Sequence, residues 1–189
     1  MDLVTDILLA QAGDDARGTL LGDSSGFSIV KYEDWEDAKK GIISRREFNK
    51  LHILIAPHGR IVMCAITPGR THDSPVFREM YGRIPMGEGY TILDAAYLAK
   101  KNCRMIADSG RSPVICPKSN SVARGLHPMG QMLKWHNDDR DGFEKVYHQR
   151  SLVETAFSSI KERFGAVARA KTFVMRQLQL ALSSASATT

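Results

Sequence analysis

The sequence predicts a single mixed α/β domain, and three observations carry that reading. Two apolar, β-branched runs, LHILIA at 51–56 and IVMCAI at 61–66, flank Pro57-His58-Gly59-Arg60, the signal of an antiparallel hairpin. Later strand-like runs at 89–93 and 112–118 are separated by a helical stretch, as crossover connections require. Finally, SLVETAFSSIKERFG places apolar residues at 153, 156, 157, 160 and 164, a helical stripe that stops at Gly165. With 189 residues, 43% hydrophobic and 25% charged, the chain suits one domain of ordinary size and excludes wholesale disorder.

Residues 17–30 read as a strand that meets a Ser/Gly turn at Asp23. Residues 31–50 are mixed and charged, and predict no element. After the hairpin, Ser74-Pro75 looks like an N-cap followed by proline at the first helical position, opening a helix through about Tyr81. GYTIL forms a short strand ending at Asp94, and AAYLAKKNCRMIADSG reads as a helix with Gly110 just past its end. SPVICPK is a strand whose prolines place it near an edge or at its own ends. The stretch from there to about residue 146 reads as loop. Residues 1–19 form an N-terminal segment that need not be ordered, and 176–189 a C-terminal tail.

Cys64, Cys103 and Cys116 form no CxxC pair, so neither a disulfide framework nor a zinc ribbon is expected. No apolar stretch approaches the ~20 residues that span a bilayer, and the N-terminus carries acids where a signal peptide carries lysine or arginine. A soluble cytoplasmic protein, with no membrane partner, is the expectation. The net charge of +5 hides an asymmetry: residues 1–40 hold nine acids and four bases, and the remainder twelve acids and twenty-two bases. Such a basic body suits a polyanion, nucleic acid being the commonest.

Three acids stand where chemistry could happen. Asp23 and Asp94 each follow a strand, and ligands of α/β sheets gather at the carboxyl ends of strands. Glu154 lies in the first turn of the last strong helix. Converging carboxylates are hard donors that suit magnesium or manganese better than zinc. Each acid also has a plain structural role open to it. Asp23 could shape a turn, Asp94 could cap the helix after it, and Ser151 with Glu154 could form a capping box.

The final helix links them to a polyanion. On a helix continuous from Tyr147, the residues Tyr147, Arg150, Glu154 and Lys161 fall within a sector of about 60° at 100° per residue. One face packs on the sheet, and the neighbouring one presents a phenol, a guanidinium, a carboxylate and an ammonium. Arg150 and Lys161 could hold phosphate oxygens while Glu154 faces a metal ion. An ordinary salt-bridged surface would look the same.

This pattern, Y-x2-R-x3-E-x6-K, resembles the Y-R-E-K signature of a large group of insertion-sequence DDE transposases. DSSGF at 23–27, KLHI at 50–53, HDSPVF at 72–77, LDAAY at 93–97, PK-N at 117–120 and YHQRSLVETAFSSIKERFG at 147–165 are similar to that group as well. The resemblance implies a ribonuclease H-like mixed sheet flanked by helices over residues 20–175, with 119–146 as an insertion before the Glu helix. It implies Asp23, Asp94 and Glu154 as catalytic residues holding two Mg2+ or Mn2+ ions. It also implies Tyr147, Arg150 and Lys161 as contacts to the DNA backbone. Two-metal phosphoryl transfer on double-stranded DNA, transposon ends and target, would follow, with one ion activating water or a 3′-hydroxyl and the other stabilising the leaving oxygen. A homodimer on paired DNA ends is also implied. Asp73 reads as the lead-in to the Ser74-Pro75 helix start rather than as a fourth ligand.

Only 22 residues precede Asp23, they are acidic, and the chain ends in SSASATT, so a truncated or split copy is expected. Two functions of different classes follow. One is a metal-dependent enzyme that cuts and joins DNA; the other is a non-catalytic relic that binds DNA or interferes with a full-length transposase.

Overall fold

The computed structural model describes residues 2–29, 48–165 and 167–168. Its spine is β1 (Leu20–Ile29), paired antiparallel with β2 (Phe48–Ile55), which pairs antiparallel with β3 (Ile61–Pro68). On its other side β1 runs parallel to β4 (Tyr90–Leu93), and β4 parallel to β5 (Ser112–Ile115), giving the order β3-β2-β1-β4-β5. A short β6 (Val167–Ala168) adds parallel to the far end of β1 at Ser28 and Ile29. Helices flank this sheet, and the arrangement is the expected ribonuclease H-like α/β fold.

The hairpin forms where the two apolar runs place it. Leu51, Ile53, Leu54 and Ile55 of β2 and residues 61–66 of β3 are buried, as near-continuous apolar strands covered on both faces must be. The Ala56 amide donates to the Arg60 carbonyl at 2.8 Å, and Gly59 turns the chain at φ +92°. Pro113 is tolerated because β5 is the sheet edge.

The N-terminal segment forms α1 (Asp2–Ala12) and a 3-10 turn over Gly13–Arg17, with Leu8, Ala12 and Ala16 buried. Helix α1 packs on β3. Helix α2 (Asp73–Tyr81) packs against β2 and β3 through Val76, Phe77 and Met80. Helix α3 (Lys100–Asp108) links β4 to β5 and ends before Gly110, whose φ is +89°. Among the described residues no helix is long and apolar enough to cross a membrane.

Several expectations are corrected. The sequence DSSG forms no turn: β1 runs unbroken past Asp23, paired with β2 from Leu21 to Ser28. A full ladder of cross-strand hydrogen bonds outweighs local turn preference. Gly22 serves close packing instead, since a Cβ there would lie 2.7 Å from side-chain carbons of both Leu54 and Leu93. The helix expected from Ala95 is a 3-10 turn (Ala95–Tyr97) followed by α3. Helix α2 starts at Asp73 with His72 at its N-cap, so Ser74 caps nothing.

The expected loop before residue 146 holds two helices, α4 (Pro128–Asp138) and α5 (Arg140–Tyr147). Their caps are His127, whose Nδ1 accepts from the Gly130 amide at 3.0 Å, and Asp139, whose Oδ1 accepts from the Gly142 amide at 3.0 Å. The segment 30–47 and the expected tail 176–189 lie outside the described residues.

Candidate active site

Register brings the two aspartates together. Leu20 and Leu21 pair with Thr91 and Ile92 across the parallel β1–β4 edge, and the next alternation carries Asp23 and Asp94 to equivalent positions. Side chains at equivalent positions of neighbouring strands share a face. Asp94 caps the 3-10 turn that follows it, with Oδ1 accepting from the Ala96 amide at 2.8 Å. The capping role open to it is therefore realised, and its other oxygen is left for another partner.

Alternate residues of β1 face the last helix, α6 (Ser151–Phe164). Asp23 meets Arg150, Ser25 accepts from Lys161 Nζ at 2.7 Å, and the Phe27 ring lies 5.3 Å from the same ammonium. Arg150 bridges two carboxylates. Its Nη2 lies 3.2 Å from Asp23 Oδ2, and its Nη1 2.6 Å from Glu154 Oε1. Asp23, Glu154 and both cations thus meet beside β1, and Asp94 stands near enough for its charge to reach Asp23 and Arg150.

Tyr147, Arg150, Glu154 and Lys161 do not share one uninterrupted α-helix. Tyr147 ends α5, a 3-10 turn covers His148–Arg150, and α6 begins at Ser151. The backbone stays right-handed helical at Tyr147, His148, Arg150 and Ser151, so the four side chains still converge. The capping box does not form. The Ser151 hydroxyl donates to the His148 carbonyl at 3.0 Å, and no side chain caps α6. Glu154 is thereby free of a structural duty at the helix start, and its side chain is 61% exposed.

Burial sets the electrostatics. Desolvation raises the Asp23 pKa above its ordinary value and the negative charges of Asp94 and Asp73 add to it, against the Ser24 amide and Arg150. Burial works against the Arg150 charge, but Asp23, Tyr147, Glu154 and Asp94 outweigh it and hold the guanidinium firmly protonated. The Tyr147 phenol is pushed up by burial first, then by Cys116 and Asp94, so it stays a neutral hydrogen-bonding group. Tyr147 also borders a cleft of about 320 Å³ between the loop after β5 and the α4–α5 pair, where Lys118, His136 and Arg140 face inward.

Among the described residues no three ligating side chains stand close enough to hold a metal ion as they are. The guanidinium of Arg150 sits between Asp23 and Glu154, 3.2 Å and 2.6 Å from their oxygens. The donors around it are carboxylate oxygens, the set that suits a hard divalent ion. Sequence reasoning weighed Asp73 only as the lead-in to a helix and gave no role to the other neighbours behind Asp23, Lys50, His52 and Tyr97. Their only signal was that they stand in the blocks at 50–53, 72–77 and 93–97.

Comparison with protein families agrees with the fold. The model of the transposase DDE domain matches residues 15–188, nearly the whole chain, and families of this type generally use divalent metal ions. No curated protein matches the chain. A match over almost its full length, on a mixed sheet flanked by helices, places this chain in the transposase DDE domain family.

Proposed function

We propose that the chain is the catalytic domain of an insertion-sequence transposase that cleaves and transfers DNA strands, with Asp23, Asp94 and Glu154 as its metal-ligating triad. The observation that carries this reading is Arg150 bridging Asp23 and Glu154, with Asp94 near enough for its charge to act on both Asp23 and Arg150. Bound divalent ions, Mg2+ or Mn2+, would supply Lewis-acid stabilisation of the attacking and leaving oxygens.

The chain's own residues do the rest. Asp23 and Asp94 orient from neighbouring strands, fixed by register and by the Ala96 amide. Glu154 swings from an exposed position on α6. Arg150, released from the carboxylates, reaches a phosphate oxygen in the bidentate manner that a guanidinium favours. Lys161 and Tyr147 flank it as backbone contacts that carry position rather than sequence. The duplex lies across the C-terminal ends of β4 and β5, where the cleft beside Tyr147 is lined by Lys118 and Arg140. A dimer on paired DNA ends belongs to the same reading.

A second reading has its own observation. With Arg150 seated between Asp23 and Glu154, the chain could bind DNA without cutting it, as a transposase relic. Nicking of supercoiled plasmid in Mn2+, together with a mobility shift at low salt, separates the two. Binding and nicking that both disappear with Asp94→Ala fit neither. Nicking lost while binding persists supports the enzyme, and binding without any nicking by wild type supports the relic.

A further inference from the structure

The residues at 50–53 and 72–77 have no part in the triad, yet they meet behind it. The β1–β4 ladder consists of Leu20↔Thr91 and Leu21↔Ile92, and it stops short of Asp23 and Asp94. Register aligns the two aspartates, but no β1–β4 backbone pair stands at their level, so side chains are left to hold their separation. We propose that the segment 72–74 is a polar bracket that fixes the separation of Asp23 and Asp94, with Asp73, Ser74 and Tyr97 as positioning residues for that pair. The inference rests on reading Asp23 and Asp94 as metal ligands.

One arm of the bracket holds the β1–β2 side. Lys50 Nζ lies 2.7 Å from Asp73 Oδ1 and donates to the Thr71 carbonyl at 3.1 Å, which fastens the start of α2 to β2. Lys50 is the cross-strand partner of Gly26 on β1, and His52 that of Ser24. His52 is 2% exposed. Its Nε2 pairs with Thr67 Oγ1 at 2.9 Å, and its otherwise unpartnered Nδ1 lies 3.8 Å from the same Asp73 oxygen. The other arm holds the β4 side. Fully buried Asn102 donates from Nδ2 to Ser74 Oγ at 2.9 Å and to the Tyr97 carbonyl at 2.7 Å, while its Oδ1 accepts from Arg78 at 3.0 Å.

Tyr97 closes the span. It ends the 3-10 turn that Asp94 caps, its amide donates to the Asp94 carbonyl at 3.1 Å, and its buried side chain lines the same small cavity as Asp23 and His52. The two aspartate-bearing segments are thus tied to each other through Tyr97 and to α2 through Asp73 and Ser74. Partners outside the ligand shell change metal affinity by about 10–100-fold when removed, because they orient the ligands.

The test is Mn2+ affinity of the whole chain, read from the electron paramagnetic resonance of free Mn2+, for wild type, Asp94→Ala, Tyr97→Phe, Ser74→Ala and Asp73→Asn. Thermal melting of each variant reports folding. Tyr97→Phe and Ser74→Ala remove one oxygen each, and both should weaken Mn2+ binding about tenfold while the melting transition stays cooperative. The double variant Tyr97→Phe/Ser74→Ala should lose less than the product of the singles, since both act on one separation. Affinities within twofold of wild type in folded Tyr97→Phe and Ser74→Ala would overturn the bracket. Wild-type chain that fails to bind Mn2+, or binding that survives Asp94→Ala, would overturn the metal reading itself, and the bracket with it.

Discussion

Arg150 and Asp23 stand 127 residues apart in sequence and 3.2 Å apart in the fold, with the same guanidinium also on Glu154. That contact ties the last helix to the central strand. It also holds a positive charge where the first and last acids converge, which offsets part of their negative charge. Carboxylate and phosphate alike offer paired oxygens to a guanidinium fork.

Asp23 has a cost for stability that its replacement should remove. Its folded pKa is raised, chiefly by burial, so the ionised form is disfavoured in the fold at neutral pH. A raised acid pKa means stability is fuller at low pH and lost as pH rises through the folded value. Asp23→Asn should therefore melt at or above the wild-type temperature at pH 7, with the gain shrinking toward pH 4, while nicking is lost. A variant markedly less stable than wild type at pH 7 would show that the Arg150 contact outweighs burial.

His52 works in the opposite direction. Burial lowers its pKa to about 4 from the usual 6.5, although Asp73 pulls upward. A lowered histidine pKa makes the unfolded chain bind the proton first, so stability falls as pH drops from about 6.5 to about 4, by up to ~3 kcal/mol. Urea denaturation of His52→Gln should lack most of this acid loss. Identical pH profiles for variant and wild type would contradict the assignment.

Gly22 sits one residue before Asp23, and a methyl group there would press on Leu54 and Leu93, both almost fully buried. Gly22→Ala should cost about 1–3 kcal/mol in chemical denaturation, the usual range for overpacking a filled core. An unchanged midpoint would mean that the two leucines yield freely.

Lys161 should matter through charge. Its ammonium rests on Ser25 and Phe27, beside the carboxylates but paired with none of them among the described residues. Lys161→Ala should weaken DNA binding and make the slope of log K against log salt shallower by about 0.9, one phosphate contact. An unchanged slope would remove Lys161 from the DNA path.

How much of this was legible beforehand differs from element to element. The β2–β3 hairpin was, because two long apolar runs around Pro57 and Gly59 have few other structures open to them. The sequence at Asp23 was misread, since Ser24, Ser25 and Gly26 favour a turn locally and only the distant β2 makes them a strand. Helices α4 and α5 were hidden by their glycines, Gly130 and Gly142, and by a histidine cap. Gly130 is there because a Cβ would meet the Arg124 and Gly125 carbonyls at 2.5 Å, a tertiary reason that no local pattern displays. At the site, spacing alone grouped Tyr147, Arg150, Glu154 and Lys161 on one face. It could not show that Arg150 would turn toward Asp23, nor that Asp73 would be spoken for by Lys50, because both depend on contacts between remote strands and helices.

The most direct measurement is Mn2+-dependent nicking of supercoiled plasmid by wild type, Asp23→Asn, Asp94→Ala and Glu154→Gln, each shown to be folded by its melting transition. The expected result is nicking by wild type and its loss in all three variants, as residues that act on one centre require. Nicking that persists in folded Asp94→Ala or Glu154→Gln would contradict a triad built from these three carboxylates.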